Sequence, residues 1–216
     1  MSQDTSVFLQ VDHVSKHAMS GDSQITILND INLSVVVGES VAILGASGSG
    51  KTTLLTLLAG LDLPSSGQIY FQKFHLNALD EEQRALLRGQ NVGFIFQSFQ
   101  LLKTLTALEN VMLPLEIQYT PNKLAKENAM EWLNKVGLDK RLHHYPTQLS
   151  GGEQQRVAIA RAFVTHPKII LADEMTGNLD TITGEIVSDI LFSLNQQQKT
   201  TLVLVTHDTS LATRCE

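Results

Sequence analysis

The run Gly45-Ala46-Ser47-Gly48-Ser49-Gly50-Lys51-Thr52-Thr53 has the residue types and order needed to hold a chain of phosphates. Residues 45–52 fit the pattern G-x-x-x-x-G-K-[ST]. Glycines let successive backbone N–H groups turn inward around an anion with no Cβ in the way. A helix starting at this point would add its partial positive charge. Lys51 would reach the β- and γ-phosphates of a nucleotide, and the Thr52 hydroxyl would ligate Mg²⁺. The flanks agree. Ser40-Val41-Ala42-Ile43-Leu44 reads as a short buried strand, and Thr53-Leu54-Leu55-Thr56-Leu57-Leu58-Ala59 as a helix. The bland alternative is a Gly/Ser turn between strand and helix, which has no need of Lys51 followed by Thr52.

Leu149-Ser150-Gly151-Gly152-Glu153-Gln154-Gln155-Arg156 precedes an apolar helical run from Val157 to Val164. Ser150 with Glu153 three residues on makes a capping box, so one reading is a well-capped helix and no more. Two glycines in the first turn argue for something further. They weaken the helix and expose backbone N–H groups at its positive end, which suits a second phosphate contact. These residues resemble the LSGGQ-type signature of ATP-binding cassette (ABC) proteins, with Glu153 in place of the commoner Gln.

The resemblance extends over nearly the whole chain. Ile169-Ile170-Leu171-Ala172-Asp173-Glu174 resembles the Walker B strand; the family pattern implies that Asp173 holds Mg²⁺ and that Glu174 polarises the attacking water as general base. Gln97, after Val92-Gly93-Phe94-Ile95-Phe96, resembles the Q-loop glutamine near Mg²⁺ and the lytic water. Asn178-Leu179-Asp180 resembles the D-loop, which places Asp180 at the nucleotide. His207, after Thr201 to Thr206, resembles the switch histidine that senses the γ-phosphate. Each alone has a plain alternative. A histidine after a strand is usually structural, and an Asp-Glu pair at a strand end is often a solvated turn. Their shared order and spacing favour the set.

The elements that must position these residues can be outlined. Residues 7–12, 25–28 and 31–37 read as strands of an antiparallel flap, with Asn29-Asp30 marking a turn or bulge, and residues 68–72 as a short strand. Residues 39–59 form the P-loop unit, and 80–88 a short charged helix. Helices are expected over 106–118, 122–136, 150–165 and 181–197, and strands over 169–173 and 200–206. Alternating strands and helices around a P-loop imply an α/β fold with a parallel sheet. The resemblance divides residues 1–216, a single nucleotide-binding domain, into a RecA-like core (1–96 and 167–216) and a helical subdomain (about 98–166). Family members continue with one or two more strands, so the C-terminus is expected to be cut short.

The composition fits one sizeable core: 216 residues, 43% hydrophobic and 18% charged. A net charge of −6 argues against a general nucleic-acid surface. No apolar run reaches the length of a membrane span, residues 1–20 lack signal-peptide regions, and the single cysteine, Cys215, suits a reducing cytoplasm.

Phe94-Ile95-Phe96-Gln97-Ser98-Phe99-Gln100-Leu101-Leu102, Glu109-Asn110-Val111 and Thr176-Gly177-Asn178-Leu179-Asp180 are similar to the MacB-type and LolD-type branch. Leu191-Phe192-Ser193-Leu194-Asn195 points to its YbbA-like subgroup. The resemblance implies ATP and Mg²⁺ as cofactors and a head-to-tail homodimer. Ser150, Gly151 and Gly152 of one subunit would then contact the γ-phosphate held by Lys51 of the other. It also implies a separate membrane permease, a place on the cytoplasmic face of the bacterial inner membrane, and movement of lipoprotein, peptide or lipophilic compounds. The alternative is a soluble ABC ATPase of DNA repair or translation. Only 52 residues separate Gln97 from Ser150, too few for a repair-type coiled coil, and there is one cassette rather than two. A small-molecule kinase would not need Ser150-Gly151-Gly152. Two departures stand out. Ala18 lies where the family often has a base-stacking Tyr, with His17 one position away. Met175 follows Glu174 where the family carries Pro, which would leave the base less rigidly held. Phe99, Leu101, Leu102 and Leu105 form an uncharged segment that reads either as subdomain core or as a groove for the permease.

Overall fold

The computed structural model describes residues 7–21 and 23–215; the rest of the N-terminal stretch read for a signal peptide, residues 1–6, and Glu216 lie outside them. In chain order the elements are β1 (Val7–Ser20), β2 (Ser23–Val36), β3 (Ser40–Leu44), α1 (Lys51–Leu58), β4 (Ser66–Phe71), β5 (Phe74–His75), α2 (Glu81–Asn91), β6 (Val92–Ile95), α3 (Ala107–Ile117), α4 (Asn122–Lys135), α5 (Gly151–Phe163), β7 (Ile169–Asp173), α6 (Thr181–Gln198), β8 (Thr201–Thr206) and α7 (Thr209–Ala212). They fall into two compact units, residues 1–88 with 201–216, and residues 89–200.

In the first unit, β2, β1, β4 and β5 form an antiparallel sheet in that order. The break expected at Asn29-Asp30 is a bulge inside a continuous strand. Asp30 has φ +52°, the β1–β2 register shifts around Val14, and the Asp30 N–H donates to Ser15 Oγ at 3.0 Å. A bulge absorbs the extra residue and lets pairing resume, so both strands run to 14 residues where sequence patterning marked only pieces. The sheet buries Phe8 edge-on to Phe71, with Leu9, Val11 and Ile69. The same unit holds the parallel pair β3–β8, in register from Ser40 with Leu202 to Leu44 with Thr206. Helix α1 buries Leu54, Leu55, Leu57 and Leu58.

The second unit holds the parallel pair β6–β7, in register from Val92 with Ile169 to Ile95 with Ala172. Helices α3, α4 and α5 pack on one another, with Trp132 stacked on Phe163 at 5.6 Å. The expected helices and strands here appear within one or two residues of their expected bounds. The two-residue β5 carries too little pattern to have been foreseen. Thr106 and Glu109 cap α3 reciprocally, and the next two helical N–H groups, of Ala107 and Leu108, donate to His144 O and Leu142 O. The orphan donors of α3 are thereby met by the segment leading to Ser150.

Helix α5 approaches β6 at backbone contact. A Cβ added at Gly93 would lie 2.4 Å from Ala162 O and 2.5 Å from Ile170 Cδ1. Overpacking of this kind costs about 1–3 kcal/mol. Gly93→Ala should therefore lower the melting temperature by about 2–4 °C for each kcal/mol lost. Calorimetry checks this, and an unchanged melting temperature would show that α5 can move off β6 freely.

Candidate functional site

In the first unit, the candidate phosphate-binding loop is shaped by backbone. Between β3 and α1 the chain turns through Gly48 at φ +77° and Gly50 at φ +86°, and the Ser49 N–H donates to Ala46 O at 3.2 Å. Gly50, the N-cap of α1, is required twice over. Its φ disfavours any side chain, and a Cβ there would lie 2.8 Å from Ile27 O and 2.9 Å from Leu28 Cδ2. Lys51 is buried at 8% exposure, its Nζ donating to Gly45 O at 3.0 Å and Ala46 O at 2.9 Å. These neutral carbonyls are weaker partners for an ammonium than an anionic phosphate. Ala46, Ser47, Gly48, Ser49 and Thr52 are exposed; Gly45 and Thr53 are half-buried.

Register places His207 in the same unit. Leu44 pairs with Thr206, so Gly45 and His207 leave adjacent strands side by side. Asp208, next along, is committed to capping α7. It accepts from Ser210 N at 2.8 Å and Ser210 Oγ at 2.7 Å, and these bonds hold its carboxyl below the ordinary value of 3.8. In the hairpin, His17 Nδ1 faces Thr26 Oγ1 at 3.1 Å, one residue from the Ile27 carbonyl that touches Gly50; Ala18 is exposed.

The second unit gathers the other candidates. Ile95 pairs with Ala172, so by continued register Gln97 leaves β6 level with Glu174 leaving β7. Asp173 is buried at 8% exposure and Glu174 is half-buried, with φ +40°. The loop that follows is tied down. Met175 is buried, Gly177 N donates to Glu174 O at 2.9 Å, and Asn178 Nδ2 donates to Gln97 O at 2.9 Å. The flexibility expected of Met175 in place of Pro is thus countered by burial. Asp180 caps α6, accepting from Thr183 N at 3.0 Å; the Thr183 side chain and then this N–H hold its carboxyl below its ordinary value.

Ser150 caps α5 as expected, its Oγ accepting from Glu153 N while Glu153 accepts from Ser150 N at 2.8 Å. Gly152 has a packing reason of its own, since a Cβ there would lie 2.3 Å from Thr183 Cγ2 on α6. Among the described residues no group of three or more His, Cys, Asp or Glu could hold a metal ion by itself.

Residues 28–177 match the family model described as ABC transporter. The chain belongs to the ABC transporter family. It is 50% identical over 208 residues to the ABC transporter ATP-binding protein YbbA of Escherichia coli strain K12, covering 96% of this chain and 91% of that protein. It is 46% identical over 210 residues to the lipoprotein-releasing system ATP-binding protein LolD of Hydrogenovibrio crunogenus, covering 97% and 91%. The fold matches the ATP-binding cassette MJ0796 in a dimeric post-hydrolysis state bound to ADP and Pi, with TM-score 0.89, 42% identity and coverage of 96% and 91%. The protein is therefore an ABC ATPase cassette, the ATP-binding subunit of a transporter, with the α/β fold of the family: an antiparallel N-terminal sheet and parallel strands.

Spacing alone did not single out the polar side chains that hold this cassette's loops: Asn178 on Gln97, Arg161 on Phe99 and Gln100, and Arg141 on Glu153. Arg141 Nε donates to Glu153 Oε1 at 2.9 Å. The Ser150 N–H and then Arg141 keep the Glu153 carboxyl below its ordinary value of 4.5. A carboxylate with a lowered folded pKa stabilises above its unfolded pKa, and the benefit is lost as pH falls from 4.5 through the folded value. Glu153→Ala should cost about 1 kcal/mol at pH 7, the typical worth of a cap. The gap to wild type should narrow below pH 4.5. Denaturant melts at both ends of that range check it; a gap that does not change with pH would show that the charge of Glu153 adds nothing.

Proposed function

We propose that this cassette binds ATP with Mg²⁺, closes with a second copy of itself around two nucleotides, and uses the cycle of closure and hydrolysis to drive a membrane permease. The matched ends of β6 and β7 carry this reading, because they set a glutamine level with a carboxylate that follows a buried aspartate. Lys51 and the loop N–H groups of residues 45–50 hold the phosphates. Asp173, Thr52 and Gln97 would hold Mg²⁺, and the ion would neutralise charge on the phosphates. Glu174 accepts the proton of the attacking water, and His207 orients toward the γ-phosphate. Ser150, Gly151 and Gly152 of the second copy close over that phosphate, and Asp180 contacts the nucleotide. ATP favours closure because it contacts both copies only in the closed state, and hydrolysis removes that bridge. No aromatic residue occupies position 18, so base stacking is weak and ATP is only modestly preferred to GTP.

The RecA-like core and helical subdomain of the family are carried over to residues 1–96 with 167–216 and about 98–166. The permease places the cassette on the cytoplasmic face of the bacterial inner membrane. No described helix is long and apolar enough to cross a membrane. Likeness to LolD, a lipoprotein-releasing system protein, supports a lipoprotein as the cargo; peptides or lipophilic compounds are the other cargoes the family resemblance implies. For permease docking, the second unit offers a cleft of about 300 Å³ lined by Phe94, Phe96, Leu113, Pro114, Ile117 and Arg161 among others, with Ile117 at 67% exposure. Leu102 is outside that lining but exposed, while Phe99, Leu101 and Leu105 are half-buried. The backbone at Leu102 is clamped by buried Asn110, which donates to Leu102 O and accepts from Leu102 N.

Glu174→Gln should bind ATP normally, lower turnover by about 10² or more, and accumulate as an ATP-bound dimer in size-exclusion chromatography. Hydrolysis at the wild-type rate would remove Glu174 from the role of base. Leu102→Asp and Ile117→Asp should each keep the wild-type melting temperature and lose co-purification with the permease. Variants that stay folded and still assemble would place the permease elsewhere.

A further inference from the structure

Gln97 is followed by a turn that the chain does not adopt cheaply. Phe99 has φ +60° and Gln100 φ +50°, two adjacent left-handed residues, neither of them glycine. Such conformations persist only where surroundings over-determine them. The turn's own bonds are local: Phe99 N donates to Phe96 O at 3.2 Å and Gln100 N to Ser98 O at 2.6 Å. The bonds from far along the chain come from Arg161 near the end of α5, whose Nη1 donates to Gln100 O at 2.6 Å and Nη2 to Phe99 O at 2.8 Å. One planar guanidinium thus grips two consecutive carbonyls, a grip a lysine ammonium does not reproduce. Burial lowers the Arg161 pKa, yet the group stays a cation. On its other side Gln97 is held through its carbonyl by Asn178.

We propose that Arg161 is a positioning residue for ATP hydrolysis: it holds the Phe99–Gln100 turn in the strained form that aims Gln97, and so ties Gln97 to the helix that begins at Ser150-Gly151-Gly152. Ten residues of helix separate Gly151 from Arg161, a stiff rod of about 15 Å. A shift of the signature end, as a second copy's nucleotide is engaged, is delivered by Arg161 to the Gln97 turn. The proposal rests on the reading of Gln97 and the signature given above.

The test compares steady-state hydrolysis by full-length Arg161→Lys, Gln97→Ala, their double variant, and Arg161→Lys combined with Gln100→Gly. Arg161→Lys should lower kcat about tenfold while changing KM for ATP less than about twofold. The double variant should be no slower than Gln97→Ala, because both changes remove one function. Gln100→Gly removes the cost of the left-handed turn and should restore at least about half of the lost kcat. Should Arg161→Lys fail to fold alone, the Gln100→Gly background gives the readout, with recovery of both folding and hydrolysis expected. Wild-type kcat in Arg161→Lys, full additivity with Gln97→Ala, or no recovery with Gln100→Gly each overturns the proposal while leaving the role of Gln97 intact. Wild-type hydrolysis by Gln97→Ala overturns that role and this proposal together.

Discussion

Parallel pairing in register is the constraint on which Gly45, Gln97, Asp173, Glu174 and His207 depend. Side chains alternate along a strand, so a slip of one residue would turn each buried side chain outward and shift each loop off its neighbour. Both ladders are started by a bond from just outside the strand: Lys168 N to Asn91 O for β6–β7, and Leu202 N to Glu39 O for β3–β8, each at 2.9 Å. Every residue of β7 and β8 is buried, which makes register costly to change. Gly45, Gln97, Asp173-Glu174 and His207 all fall at or just beyond the carboxyl ends of their strands, where ligands of open parallel sheets bind.

At those ends the backbone is strained and its surroundings pay for the strain. Glu174 takes φ +40°, a conformation that costs about 1–2 kcal/mol for a residue with a side chain. Full burial of the adjacent Met175 is worth about 1.5–3 kcal/mol, enough to hold the turn. A Pro at 175 would fix its own φ covalently; Met175 fixes the loop by packing instead. The two devices reach rigidity differently, and the second depends on the surrounding core staying intact. Gly177 completes the arrangement, because a Cβ there would come 2.7 Å from Gln97 Nε2.

Much of this was legible in the order of residue types. The P-loop, the capping box at Ser150, the β7 run ending in two carboxylates and the helices of the second unit all follow from local spacing, and local spacing is what a sequence displays. The hairpin β1–β2 was legible only in fragments, since its bulges at His13 and Asp30 interrupt the alternation that marks a strand. Arg161 was invisible for a different reason. Its partners are backbone carbonyls 61 and 62 residues away, and a carbonyl carries no residue code. Gly152 was read for phosphate contact alone, because nothing in the chain order reveals that Thr183 presses against it.

Helix α5 draws these threads together. Its first turn presents Ser150 with two glycines, its middle buries Val157, Ala158, Ile159 and Ala160, and its last turn sets Arg161 on the Gln97 turn. The helix comes near enough to β6 that a Cβ at Gly93 would lie 2.4 Å from Ala162 O. Close packing leaves little room for the helix to bend within itself, so motion at one end must appear at the other. The same tightness that stabilises the second unit is what makes its signature and its glutamine parts of a single lever.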